Sequence, residues 1–197
     1  MNVWLVYAHP SDNSLNAEIL RRAKKTIESN HELRVIDLYA EKFDPVLTPE
    51  RYQRFNDLEQ NTIGVEQYVA DVEWAEAMIF VYPTWWYGLP AILKGWLERV
   101  LIPGVAMHIN EKGKPCGAKL SNIKIFGAIS TYGAPWVWTK FIGDPGRRTL
   151  MRGVRFLSFP FCRTFWLAEY NVHNATPKRI ASALNRFDRK LSQILNR

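Results

Sequence analysis

The chain has 197 residues, a length typical of one domain, which excludes the separate substrate domain of a two-domain dehydrogenase. Hydrophobic residues make up 47% of the chain and charged residues 23%, so enough apolar surface is available to build a core. The net charge of +7 favours anionic partners in general without selecting nucleic acid, and no nucleic-acid partner is expected.

Targeting and metal signals are missing from the sequence. The apolar run at residues 3–8 is too short for a secretory signal, and no run approaches the ~18 residues of a spanning helix. Cys116 and Cys162 stand far apart and the four histidines are scattered, which excludes a zinc site and a disulfide framework. We therefore expect a cytoplasmic protein without membrane insertion and without a bound metal.

Short apolar runs alternate with segments of helical spacing along the chain. The runs that predict buried strands are residues 3–8, Leu33–Leu38, Met78–Tyr82, Ile123–Ile129 and Cys162–Leu167. The apolar stripes that predict helices are formed by Leu15, Ile19, Ala23 and Ile27, and by Ile180, Leu184, Phe187, Leu191 and Ile194. Pro90, and Pro177 with Thr176 before it, predict where two helices begin.

The alternation predicts an α/β fold with a doubly wound, five-stranded parallel sheet and helices on both faces. The polar stretch 40–62, with Pro45 and Pro49, predicts an excursion or a short helix. In such a sheet, ligands bind beyond the carboxyl ends of the strands. Function should therefore lie in the loops that follow the first, third and fourth strands.

The loop after the first strand, residues 9–16, offers polar groups at the start of a helix. Ser11, Ser14 and Asn16, together with the first N–H groups of the helix, suit a phosphate, although ordinary helix capping explains the same residues. The fingerprints G-x-G-x-x-G and G-x-x-x-x-G-K-[ST] are missing, which disfavours a Rossmann-type NAD site and an ATPase.

The other two loops are aromatic and rich in small residues. The loop Pro83–Pro90 contains three adjacent aromatic residues, Trp85, Trp86 and Tyr87, which one loop cannot bury together. Some of this aromatic surface should therefore face a cleft, although any single ring could instead pack into the core. In Ser130–Trp138, backbone N–H groups near Gly133 suit a developing negative charge. Phosphate donors, aromatic walls and backbone donors together describe a flavin nucleotide site.

The segment Tyr82–Val100, YPTWWYGLPAILKGWLERV, resembles the signature of the NAD(P)H:quinone oxidoreductases, the DT-diaphorase family of the flavodoxin-like fold. The opening pattern of His9, Ser14 and Asn16 resembles it too, and the likeness covers roughly residues 3–135. The resemblance implies a flavodoxin-like sheet, a homodimer and a bound flavin, which is FAD in much of the family and FMN in some bacterial relatives.

The resemblance also implies which residues contact the cofactor. The residues expected at the phosphate side are His9, Ser14, Leu15 and Asn16; those beside the isoalloxazine ring are Pro83, Thr84, Trp85, Trp86 and Tyr87; those at its other edge are Ser130, Thr131, Tyr132 and Gly133. The family pattern has paired glycines where this chain has Tyr132-Gly133, so we expect a more crowded ring edge. A Tyr and a His that assist hydride transfer in the family align with Trp138 and Asp144, so no catalytic residue is assigned.

These features predict a flavin-dependent NAD(P)H:quinone oxidoreductase, in which NAD(P)H is the co-substrate and a quinone-like small molecule is the acceptor. The alternatives are a flavin-binding ancillary subunit of a membrane transporter and an electron-carrier flavodoxin. Exposed aromatics such as Trp136 and Trp138 predict a homodimer, unless these rings cover the monomer's own core. For the basic stripe Arg147–Arg155, a solvated helix face is favoured over contact with a nicotinamide-cofactor phosphate.

Overall fold

The computed structural model describes residues 1–158 and 162–196. The strands are β1 (Asn2–Tyr7), β2 (Glu32–Asp37), β3 (Ala77–Thr84), β4 (Met107–Ile109), β5 (Pro115–Ala118), β6 (Ile125–Tyr132) and β7 (Arg163–Glu169). The helices are α1 (Leu15–Glu28), α2 (Pro49–Gln53), α3 (Glu66–Trp74), α4 (Ala91–Val100), α5 (Trp136–Ile142), α6 (Pro145–Arg148) and α7 (Pro177–Leu195). A π-helical turn, Thr149–Val154, follows α6 directly.

The main sheet has the order β2-β1-β3-β6-β7, and all of its neighbouring strands are parallel. The five predicted strands, and the predicted α/β doubly wound fold, are confirmed. The order reverses between β1 and β3, which is the point where open α/β sheets bind ligands. The short hairpin of β4 and β5 lies outside this sheet and has no counterpart in the sequence prediction.

Alternate side chains of the sheet build a core on each face. From β1, Trp4 and Val6 pack towards α3 and α4, and Val3 and Leu5 pack towards α1 and α7. Both faces are therefore covered by helices, and this explains why the central strands β1, β3 and β6 are buried over most of their length. In the polar stretch 40–62, the predicted short helix is α2.

Helix α4 is held close to the segment before α2. A Cβ atom built on Gly95 would lie 2.3 Å from the Pro45 carbonyl oxygen and 2.4 Å from the Pro45 Cβ atom. The Arg99 guanidinium donates to the Asp44 carbonyl oxygen and lies 5.0 Å from the centre of the Phe43 ring. Only glycine permits this approach, because the opposing atoms include rigid backbone.

We predict that Gly95→Ala lowers the free energy of unfolding by about 1–3 kcal/mol, as overpacking does elsewhere. The loss should outweigh the ~1 kcal/mol by which alanine favours a helix over glycine. Urea denaturation measures the change. Gly153→Ala is the control: nothing lies within 4 Å of the added methyl group, so this helical position should be unchanged or gain up to about 1 kcal/mol of stability. Equal stability of the two variants would contradict the prediction.

Candidate functional site

A cavity of about 570 Å³ opens at the carboxyl ends of β1, β3 and β6, where the strand order reverses. Its walls come from the three loops that the sequence singled out and from the segment after β7. The lining residues are His9, Ser14, Leu15, Asn16, Pro83, Thr84, Trp85, Trp86, Tyr87, Thr131, Tyr132, Gly133, Ala134, Val172 and His173. Of the residues that the sequence analysis proposed for the site, only Ser11 and Ser130 are missing from this lining.

The loop after β1 presents the start of α1 to the cavity. Ser14 is the N-cap of α1: its Oγ accepts a hydrogen bond from the Ala17 N–H at 3.1 Å and donates to the Ser11 carbonyl at 3.0 Å. The hydroxyl proton of Ser14 is therefore already engaged, as the capping alternative implied. The N–H groups of Leu15 and Asn16, in the first turn, have no acceptor within the helix.

Asn16 joins the first loop to the end of β6. It is only 3% exposed, and its side-chain amide is 2.8 Å from the Thr131 hydroxyl. The hydroxyl can pair with either end of the amide, so one end of this buried group lacks a partner among the described residues. Buried amides are normally hydrogen-bonded at both ends, so the free end of Asn16 is a candidate contact for a polar atom of a ligand.

Residues Trp85–Gly88 form a tight turn that carries the aromatic wall. The Gly88 N–H donates to the Trp85 carbonyl at 2.9 Å, and Trp86 and Tyr87 have φ angles of 49° and 62°. Bulky residues rarely adopt these angles, and each costs about 1–3 kcal/mol where it occurs. The Trp86 side chain is 96% exposed, so no packing in the chain compensates for its conformation.

Helix α5 and the start of α6 hold this turn in place. The Trp138 indole donates to the Tyr87 hydroxyl at 2.9 Å, and the Gly146 N–H donates to the Tyr87 carbonyl at 3.1 Å. A Cβ atom on Gly146 would lie 3.1 Å from the carbonyl carbon of Gly88, so glycine allows the two loops to approach. The aromatic turn is therefore positioned by residues distant in sequence.

Ser130 lies outside the cavity wall, contrary to the role predicted for it. It is fully buried; its hydroxyl donates to the Tyr82 carbonyl at 3.0 Å and lies 2.9 Å from the Thr84 hydroxyl. Inward alternation along β6 places Ser130 behind the wall and Thr131 in it. Ser130 therefore contacts Thr84 from behind the cavity wall.

Tyr132 lines the cavity, as predicted, but its side chain is almost fully buried. Its hydroxyl donates to Asp144 Oδ1 at 2.9 Å, and its ring stacks on Tyr170 with centroids 4.5 Å apart. Desolvation raises the pKa of Tyr132 far above its ordinary value, so the phenol remains a donor across the working pH range. Lys140 Nζ, 2.5 Å from Asp144 Oδ2, completes this cluster.

The crowding expected near Gly133 comes instead from His173. A Cβ atom on Gly133 would lie 2.8 Å from His173 Nε2, so this imidazole packs directly against the glycine. Val172, His173 and Ala134 line the cavity but were missed by the sequence analysis. No local pattern marks the first two, because only the position of β7 in the sheet brings them there.

Other predicted features lie away from the cavity. Arg147 stands 5.9 Å from the centre of the Trp166 ring, and none of the cavity-lining residues is from the basic stripe Arg147–Arg155. Within residues 1–158 and 162–196, no three His, Cys, Asp or Glu side chains cluster closely enough to hold a metal ion. In the same part of the chain, no helix has the length and apolar character needed to cross a membrane.

Comparison with known proteins identifies the family. A family model for the flavodoxin-like fold matches residues 1–191. A ribosyldihydronicotinamide dehydrogenase-like protein of Penicillium crustosum is 33% identical over 127 residues, 56% of this chain and 48% of that protein. NAD(P)H dehydrogenase (quinone) 1 of Cavia porcellus is 32% identical over 122 residues, 52% of this chain and 43% of that protein. The chain thus spans about half the length of the curated relatives it matches.

A solved structure matches over a longer stretch. Smu.1420 from Streptococcus mutans UA159 superposes with a TM-score of 0.86 and 27% identity over 98% of this chain and 100% of that one. The likeness to quinone oxidoreductases that the segment Tyr82–Val100 indicated is confirmed by the relatives' names. The chain belongs to the flavodoxin-like fold family.

Proposed function

We propose that the protein is a flavin-dependent NAD(P)H:quinone oxidoreductase. The observation that carries the proposal is the single cavity in which helix-start N–H groups, an aromatic turn and a glycine-containing loop meet. The unsatisfied end of the buried Asn16 amide fits a polar atom of the flavin's ribityl-phosphate arm. The aromatic residues beside it fit the apolar body of an isoalloxazine ring, so the residues present fit the cofactor.

The backbone and side-chain groups of the cavity have distinct roles in this proposal. The N–H groups of Leu15 and Asn16 bind the phosphate, whose negative charge is favoured at the start of α1. Trp85, Trp86 and Tyr87 orient the ring and limit water around it, and the Gly133 loop donates to its polar edge. The flavin, when bound, supplies the two-electron redox chemistry, and the protein supplies binding, orientation and electrostatics.

NAD(P)H and a quinone-like acceptor use the same open face of the cavity in turn. The cofactor is FAD, with FMN as the alternative that the same residues accommodate.

The relatives are named as dehydrogenases, and this supports an enzyme over the ancillary transporter subunit. The aromatic turn offers a substrate wall, which supports a reductase over an electron-carrier flavodoxin.

The proposal predicts a yellow protein that oxidises NADH or NADPH with a soluble benzoquinone as acceptor. Stopped-flow spectroscopy should show bleaching of the flavin by NAD(P)H and full return of colour on addition of quinone. Mass spectrometry of the flavin released by heat identifies it as FAD or FMN. A protein that remains colourless and inactive after incubation with both flavins contradicts the proposal.

Asn16→Ala should weaken flavin binding about 10-fold, because a hydrogen bond to a charged group contributes ~1.5–3 kcal/mol and a neutral one less. Ser14→Ala is the matched control: its hydroxyl is used by the cap, so it should lose ~0.5–2 kcal/mol of stability and keep its flavin affinity. Fluorescence titration of flavin into folded apo protein measures both. Wild-type affinity in Asn16→Ala would place the cofactor elsewhere.

We further propose a homodimer that forms across α5. Four side chains of this helix are at least half exposed: Trp136 (56%), Val137 (71%), Trp138 (50%) and Phe141 (79%). Together with the 96% exposed Trp86, they form a broad apolar patch at the mouth of the cavity. Apolar patches of this kind commonly mark protein interfaces, and a second copy is the self-complementary partner that symmetric oligomers use.

Phe141→Asp should convert the dimer to a monomer at micromolar concentration, because it introduces a charge into a patch that the dimer would bury. Light scattering coupled to gel filtration measures the mass. Val46→Asp, at a side chain 57% exposed and remote from α5 in sequence, is the control and should remain dimeric. A wild-type protein that is monomeric with flavin fully bound would contradict the dimer.

A further inference from the structure

A second groove, of about 360 Å³, lies where β7 ends and α7 begins. Its walls are strongly basic and carry two hydroxyl groups. The lining residues are Glu169, Thr176, Lys178, Arg179, Ser182, Ala183 and Arg186. Three cations against one carboxylate leave the groove with a formal charge of +2, and none of its residues belongs to the cavity described above.

The one carboxylate of the groove orients its two arginines. Glu169 is 5% exposed; its Oε1 accepts from Arg179 Nε at 2.8 Å and its Oε2 accepts from Arg186 Nη2 at 2.8 Å. Arg179 also donates to the Tyr170 carbonyl. Because both oxygens of Glu169 are occupied, the carboxylate fixes the guanidiniums and leaves N–H groups of each for a ligand.

Lys178 adds a charge that the fold itself does not use. It makes no ion pair within the described residues, and it stands in the first turn of α7, whose N-cap is Thr176. A cation in the first turn opposes the helix dipole, so Lys178 does not help α7 to form. An anion bound in the groove would be favoured by Lys178, by the arginines and by the helix start together.

The groove is within reach of the proposed flavin cavity. His173 lines the cavity and Thr176 lines the groove, and three residues span at most about 11 Å. An extended dinucleotide whose nicotinamide lies in the cavity can therefore place its far end in the groove. We propose that the groove binds the 2′-phosphate of NADPH, and this inference rests on the proposed function.

The chemistry favours a phosphate monoester over a single negative charge. A monoester is nearly dianionic at neutral pH and has three acceptor oxygens, which match the +2 charge and the several free N–H groups. NADH carries only a hydroxyl at that position. The groove should therefore discriminate between the two nucleotides and act on KM more than on kcat, because it is remote from the reacting ring.

Lys178→Ala tests the inference in the flavin-loaded protein. It should lower kcat/KM for NADPH about 10-fold through KM and leave kcat/KM for NADH within about twofold. Calorimetry with the unreactive NADP⁺ and NAD⁺ should show the same selective loss, without dependence on turnover. Lys190→Ala is the control, since Lys190 lies twelve residues further along α7, about 18 Å away.

Each outcome bears on a different claim. No turnover of either NADPH or NADH by the wild-type protein refutes the proposed function, whereas turnover with an unchanged NADPH-to-NADH ratio in Lys178→Ala overturns only this inference. A loss of affinity for FAD but not FMN in Lys178→Ala also overturns it, because the groove would then hold the flavin's own diphosphate. An NADPH preference that declines with ionic strength in the wild-type protein, and less so in Lys178→Ala, supports the inference.

Discussion

The geometry of the candidate site depends on the buried Asp144 carboxylate. Tyr132 at the end of β6 donates to one of its oxygens, and Lys140 of α5 pairs with the other. The corner after α5 is thereby attached to the sheet, and two residues later the Gly146 N–H holds the Tyr87 carbonyl. These contacts hold Tyr87, and with it the turn in which Trp86 and Tyr87 keep positive φ angles.

The register of the sheet also fixes the positions of side chains in the cavity. The Gly127 position faces Phe165 in the register of β6 and β7, and a Cβ atom there would lie 2.3 Å from the ring. The register in turn places Thr131 where Asn16 can reach it across the point of strand reversal. The buried hydrogen bond between Asn16 and Thr131 therefore both connects the first loop to β6 and forms part of the candidate site.

Much of this arrangement could be predicted from the sequence, for definite reasons. The central strands β1, β3 and β6 are buried over most of their length. The carboxyl ends of parallel strands meet at one edge, so the loops after these strands had to converge. Ser130 was misjudged because a one-residue alternation along β6 decides whether a side chain lines the cavity, as Thr131 does, or lies behind its wall. His173 and the role of Asp144 depend on contacts between distant segments, which no local pattern encodes.

The two proposed ligand-binding regions differ in how their donors are held. At the start of α1 the groups are neutral and fixed: backbone N–H groups and the buried Asn16 amide. At the start of α7 they are cations, and Lys178 is a flexible side chain in contact with solvent. Fixed neutral donors suit a cofactor that stays bound, because binding costs little conformational entropy when the donors are already ordered. Exposed charges attract an anion over a distance but are screened by salt and hold it weakly, as suits a co-substrate that leaves after each turnover.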